Sequence, residues 1–211
     1  MRWLDWLHIV DSSFPSGAYV HSMGLETLAP ATSSDLEHML ELRVRETLGR
    51  FELVFLLRAY TDPLIELDEQ FHAMVFPREA REASSLIGAG MVNSACAVLD
   101  DPRLAAFQAQ APHHHQPIAF GAVAAACEAP PHVAASTYAF QCLRSLTSAS
   151  QRLGRLGQRD AQLVLHRLKP AVGAAVGVAR NLSLAEAGAF NPLWDVASMR
   201  HERAPVRMFA S

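Results

Sequence analysis

Apolar positions recur at three- and four-residue steps along nearly the whole chain, and no stretch alternates with period two for long enough to form a strand. The longest stripe runs through Leu36, Leu40, Val44, Leu48, Phe51 and Phe55, inside "SSDLEHMLELRVRETLGRFELVFLLRAY". Ser34 and Glu37 stand at capping-box spacing at its start, and Asp62 with Pro63 closes it. A second stripe joins Tyr138, Cys142, Leu146, Ala149 and Leu153. A third joins Ala161, Leu165, Leu168, Val172, Val176 and Ala179, with Pro170 inside it predicting a kink or a break. Near the start Trp3, Leu7 and Val10 share a face, with Trp6 beside it.

The punctuation fits the same picture. "DEQFHAMVF" reads as a short helix or turn, and Pro77 suits the first position of a helix through "REAREASSLIGAGMVNSACAVL". Ser183 and Glu186 form another capping box, and Asn191 with Pro192 opens a last helix. There is no tandem repeat, linker or low-complexity tract. The expectation is an all-α, single-domain helical bundle spanning residues 1–211, with roughly eight to ten helices. A flexible tail is expected from about 196 to 211, because chain ends fray unless something holds them. The small-residue runs "GAVAAA" and "VGAAVGVA" predict close helix approach.

Composition narrows the function classes. A net charge of −3 argues against a nucleic-acid partner, which calls for a basic excess. Charged residues make up 18%, below the usual quarter or so, and Ala fills the difference. Part of the surface is then neutral or covered by a partner, which predicts a homodimer. Cys96, Cys127 and Cys142 are odd in number and widely spaced, so they read as small core residues in a reducing compartment. The start "MRWLDWLHIVD" lacks a long apolar run, and "PAVGAAVGVA" beside His166, Arg167 and Lys169 is too short to span a bilayer. A cytoplasmic protein with no membrane partner is expected.

Catalytic motifs are missing. No phosphate-binding glycine loop is present, and "RHERA" lacks the second His of a zinc-protease motif. Ser22 beside His21 and Glu26 is the one tight cluster of nucleophile, base and acid. An all-α enzyme using His21 or His201 with Glu26 or Glu202 therefore stays open as an alternative. So does contact of a borderline metal such as nickel or zinc with a loop carrying His113, His114 and His115. Three adjacent His cannot share one helix face, and no fourth ligand is spaced to complete a site, so loose binding is expected there. Three polar islands interrupt the apolar pattern. They are "SSFPSGAYVHSMGLE" (12–26), "SQRLGRLGQRDAQ" (150–162) and the tail "NPLWDVASMRHERAPVRMFAS". In the second, Gly154 and Gly157 should break the helix and expose Arg152, Arg155, Gln158 and Arg159 on a bend. The third mixes Trp, Met and Phe with Arg, the chemistry of an interface.

The three islands, together with "FGAVAAA", resemble in order and approximate spacing the motifs of the UreF family of urease accessory proteins. The first matches its Ser-x-x-Pro-x-Gly-x-aromatic-x-His/Tyr-Ser-x-Gly-Leu-Glu motif. "SASQRLGRLGQRDAQ" matches its Arg-Leu/Ile-Gly/Pro-Leu/Ile-Gly-Gln segment. "DVASMRHERAPVRMFAS" matches its His-Glu…Arg-Leu-Phe-x-Ser ending. Met23, Gly154 and Met208 depart from the usual residues, and about Asp62 to Gln116 carries little resemblance. The resemblance implies an all-α dimer that binds UreD (also called UreH) and recruits the GTPase UreG. The assembly would deliver nickel to apo-urease, with no cofactor bound tightly by this chain and no catalysis by it; the alternative under the same resemblance is a chaperone that holds nickel directly on His113, His114 and His115. Partner contacts then fall on Tyr19, His21, Ser22, Arg152, Gln158, His201, Glu202, Arg207 and Phe209.

Overall fold

A computed structural model describes residues 2–17, 21–28, 30–201 and 208–210. Its secondary structure is helical, with no strand among the described residues. In α1 (Trp3–Val10) the core-facing residues are Trp6 and Ile9, while Trp3, Leu4 and Leu7 are exposed. The stripe expected through Trp3 and Leu7 is therefore set one step off: the helix lays its Trp6 edge on Phe120, ring centroids 5.8 Å apart. After α2 (Leu25–Leu28) the chain enters α3 (Ser33–Leu42). Its capping box is Thr32 with Asp35, two residues before the Ser34–Glu37 pair that the spacing suggested. Thr32 is the residue left in extended backbone, so its hydroxyl reaches the Asp35 N–H.

α3 passes without a turn into a π-helical segment (Arg43–Glu52) and then α4 (Leu53–Arg58). Leu36, Leu40, Val44, Leu48, Phe51 and Phe55 are buried along this rod, as their spacing predicts. The rod packs on α11 (Lys169–Ala179), where Gly49 leaves room for Ala175. α5 (Leu64–Met74) begins before "DEQFHAMVF" and is a full helix. α6 (Arg78–Cys96) has Pro77 as its cap rather than its first residue. α7 (Pro102–Gln110) leads to α8 (Gln116–Ala126), whose residues 117–124 are all buried. α8 runs between α4, α6 and α9 (Pro131–Arg152) as the central helix. The two interruptions read from sequence are present. α9 ends at Arg152 and α10 (Gln158–Arg167) starts after Gly157, and α10 gives way to α11 just before Pro170. The Ser183–Glu186 box closes a 3-10 turn, and α12 (Pro192–His201) is the last helix. Among the described residues no helix is long and apolar enough to cross a membrane.

Candidate functional site

The first polar island is a folded corner, not a loop. Asp11 accepts from the Ser13 N–H and hydroxyl, and Pro15 presents its carbonyl to Ser94 on α6 at 3.3 Å. Gly90 on α6 is needed there, since a Cβ would stand 2.9 Å from the Ser16 carbonyl oxygen. The chain then reaches Met23 and Gly24, both with positive φ (53° and 89°). The Trp194 indole N–H of α12 donates to the Met23 carbonyl. A Cβ on Gly24 would lie 3.1 Å from the Ser198 backbone nitrogen, besides being strained by its φ. The corner is thus seated on α12, and that seating aims Glu26 at the end of α12. Below, Arg43 lies 4.8 Å from the Trp194 ring centroid and 3.6 Å from Glu52, which also accepts the Tyr138 hydroxyl at 2.7 Å.

Glu26 gathers the tail. His201 Nε2 lies 2.9 Å from Glu26 Oε2, the Met208 N–H donates to Oε1 at 2.9 Å, and the Phe209 N–H approaches Oε2 at 3.4 Å. Burial works against the Glu26 charge. The N–H of Met208, the His201 ring and the Phe209 N–H outweigh it and hold the carboxyl below its usual range. The Phe209 ring is buried under the Arg152 guanidinium, 4.2 Å from its centroid. Arg155, on the same bend, stands 3.5 Å from the Glu26 carbonyl. Three islands far apart in sequence therefore meet at one place: Glu26 from the first, Arg152 from the second, His201 and Phe209 from the third.

Several expectations change here. His21 and Ser22 are buried rather than part of an open polar surface, and burial holds the His21 imidazole below its usual pKa. His201 is fully buried. Of the tail expected to be flexible from about 196, the residues up to His201 belong to α12 and Phe209 packs under Arg152, while 202–207 and 211 lie outside the described residues. Gln158 is exposed and accepts from Gln151 at 2.6 Å, away from the Glu26 cluster's hydrogen bonds. Tyr19, Glu202 and Arg207 lie outside the described residues. Sequence reading missed Glu79, whose Oε2 stands 3.2 Å from His201 Nδ1; "REAREA" looks like a solvated helix face. Of the residues weighed for an enzyme, His21 lines a cavity, while Glu202 lies outside the described residues. One of about 440 Å³ is lined by His21, Gly17, Arg43, Gln141 and Arg144, and another of about 90 Å³ by Thr47, Trp194 and Asp195. Neither is lined by His201 or Glu26.

The His run is organised by another residue that the sequence reading passed over. Asp68 of α5 is fully buried and accepts the backbone N–H groups of His113, His114 and His115 at 2.9, 2.8 and 2.7 Å. The imidazole of His115 is also fully buried, 3.0 Å from His72 Nδ1 through its Nε2, with its ring against Phe71. His113 stacks on His72. Among the described residues no group of three or more His, Cys, Asp or Glu side chains is placed to hold a metal ion. Replacing all three His by Ala would empty the buried His115 site.

This packing makes the fold acid-sensitive. Burial, followed by His72, His113 and Arg81, pushes the His115 pKa from 6.5 down to about 3. His72 is lowered in the same direction, by burial first and then His113. The folded chain therefore keeps His115 neutral while the unfolded chain takes up a proton below about pH 6.5. The stability contributed is complete above that pH and is lost as pH falls towards 3. Urea unfolding at pH 4 is expected to show about 3 kcal/mol less stability than at pH 7 from this site, and a flatter profile in His115→Gln.

Comparison with known proteins places these features in a family. The UreF family model matches residues 31–169. The urease accessory protein UreF of Paenarthrobacter aurescens (strain TC1) is 33% identical, covering 96% of this chain and 95% of that protein. The same-named protein of Arthrobacter sp. (strain FB24) is 31% identical over 96% and 94% of the two chains. That of Bacillus sp. (strain TB-90) is 28% identical over 100% and 99%.

Proposed function

The chain belongs to the UreF family of urease accessory proteins, and on that premise we propose that it is a maturation adaptor in the cytoplasm, not a catalyst. It binds UreD (UreH) and recruits the GTPase UreG, and the assembled complex hands nickel to apo-urease. One observation carries this reading: the three polar islands converge on Glu26, Arg152, His201 and Phe209. Exposed Leu193, Val196 and Met199 on the outer side of α12, with Met208 beside the cluster, supply the apolar area that a partner interface uses. Tyr19, Glu202 and Arg207 complete the proposed contact set, with Gln158 at its edge; His21 and Ser22 act from below by shaping the corner.

The test is assembly. A chain lacking residues 202–211 keeps every helix through α12, so its circular dichroism should be nearly unchanged. It loses the Phe209 anchor and should form no ternary complex with purified UreD and UreG on size-exclusion chromatography. A ternary peak at full yield would move the recognition surface elsewhere.

The adaptor is also proposed to be a homodimer. α8 is spent inside the core, but α11 turns an outer side of Gly173, Ala174 and Gly177 to solvent. Light scattering at tens of micromolar should give twice the chain mass, with roughly 1,200 Å² or more buried in total; a monomer there would remove the claim.

A further inference from the structure

Two threonine hydroxyls of α9 return a hydrogen bond to the backbone four residues earlier, Thr137 to Val133 at 2.8 Å and Thr147 to Leu143 at 3.0 Å. Thr47 does not. It lies in the π-helical segment Arg43–Glu52, where N–H groups reach five residues back; such wide turns recur at functional sites. Its Oγ1 is buried and meets no hydrogen-bond partner among the described residues. Four residues before it, the Arg43 side chain is only 10% exposed, and its Nε is equally without a hydrogen-bond partner among the described residues. Both side chains line the cavity of about 90 Å³ between this segment, the 75–77 connection and the start of α12. Buried donors and acceptors are almost always paired, so two such atoms on the walls of one cavity mark a place where a ligand would pair them. We propose that this cavity is a binding site for one compact neutral carboxamide.

The charges around the cavity choose the class. Arg43 brings one positive charge, and Glu52 and Asp195 bring two negative ones. Glu52 is already met by Arg43 at 3.6 Å and by the Tyr138 hydroxyl at 2.7 Å. Burial raises the Asp195 carboxyl above its usual range, and Arg43 works against that rise. An anion would meet Asp195, and a cation would meet the Arg43 Nε–H. A carboxamide suits both, its carbonyl accepting from Arg43 and its NH₂ donating to Asp195 or Thr47. Phe51 and Phe71, stacked with ring centroids 4.7 Å apart, and Trp194 give the apolar walls that a small planar group uses. Size agrees: about 90 Å³ exceeds the roughly 15 Å³ that one water needs and falls well short of the roughly 300 Å³ at which drug-sized sites begin. Exposed Met74 and Phe76 stand among the lining residues, so the group can arrive free in solution or at the end of a glutamine or asparagine side chain. The cavity includes none of Glu26, Arg152, His201 and Phe209, and the proposal stands whether or not that cluster serves UreD.

Magnetic resonance of the full 15N-labelled chain tests it. Trp194 lines the cavity, whereas Trp3 and Trp6 line neither cavity and serve as controls. Propionamide should move the Trp194 indole signal saturably, with half-saturation at about 1–10 mM, and leave the other two nearly still. Propionate and propylammonium, of similar size, should bind at least about tenfold more weakly. Thr47→Val keeps the shape and should weaken propionamide about fivefold. It should leave the urea midpoint of the unliganded chain unchanged or higher, because the hydroxyl has no hydrogen bond to lose. Asp195→Ala should give a second, independent loss of about threefold or more. N-acetylglutamine methylamide separates the sources, with its alanine counterpart as the control that should not bind. Tighter binding than propionamide assigns the pocket to a polypeptide side chain, and weaker binding assigns it to a free amide. No saturable Trp194 shift with either amide up to about 0.1 M would overturn the proposal. So would propionate binding as tightly as propionamide, or full affinity in Thr47→Val.

Discussion

Replacing Asp68 by Ala is expected to cost about 3–5 kcal/mol, enough to leave much of the protein unfolded at physiological temperature. The carboxylate lies on the core-facing side of α5 and takes three backbone N–H groups from consecutive residues, two on Oδ2 and one on Oδ1. Those donors have turned towards α5, and the His115 N–H among them is buried. Without the acceptor they are stranded, and the loop that carries His115 into the core loses its anchor. Asp68→Asn is the sharper probe. It keeps volume, but one oxygen becomes an NH₂ that meets donors instead of accepting from them, so it should still cost about 2 kcal/mol or more. Chemical denaturation of the two variants measures both. An Asn variant as stable as the wild type would mean that shape, not charge-assisted bonding, holds the loop.

Asp68 was legible in principle. It follows Leu67 and shares the Leu64–Leu67–Phe71 stripe, and an acid on a core-facing stripe announces buried donors waiting for it. The identity of those donors was not legible, because they lie 45 to 47 residues away in sequence. The same division runs through the molecule. Long stripes reported core faces faithfully, since a residue every three or four positions has only one side of a helix to occupy. The Leu36–Phe55 stripe even survived the π-helical stretch inside it, though nothing in its spacing distinguishes that stretch from an α-helix. α1 failed because both of its sides are apolar, and only the location of Phe120 decides which is buried. In the candidate site the three islands stood out by composition, but composition could not say that His21 and Ser22 face inward or that Glu79 completes the pair on His201. Those facts come from the crossing of α2, α6 and α12.

Glycines in this bundle should split into two classes with opposite responses to a single methyl group. On Gly88 of α6 an added Cβ would stand 1.8 Å from the His114 carbonyl oxygen and 2.9 Å from the Gln116 nitrogen. On Gly121 of α8 it would stand 2.4 Å from the Leu56 carbonyl oxygen and 2.8 Å from the Ala59 Cβ. The obstacles are mainly backbone atoms, and backbone cannot rotate out of the way as a side chain does. Gly88→Ala and Gly121→Ala are each expected to destabilise by about 3 kcal/mol or more, by forcing α6 off the His loop or α8 off α4. Gly173 and Gly177 of α11 are exposed and would meet nothing within 4 Å. There the methyl only restricts the unfolded chain and favours helix, so Gly173→Ala and Gly177→Ala should each stabilise the single chain by about 0.5–1 kcal/mol. Urea midpoints of the four variants, read at several protein concentrations, decide the matter. A harmless methyl at Gly88 would mean that the His loop sits farther from α6 than described. A cost at Gly173 or Gly177 that grows with protein concentration would instead set a second copy of the chain against the outer side of α11, since only a close neighbour can object to a methyl group that points at solvent.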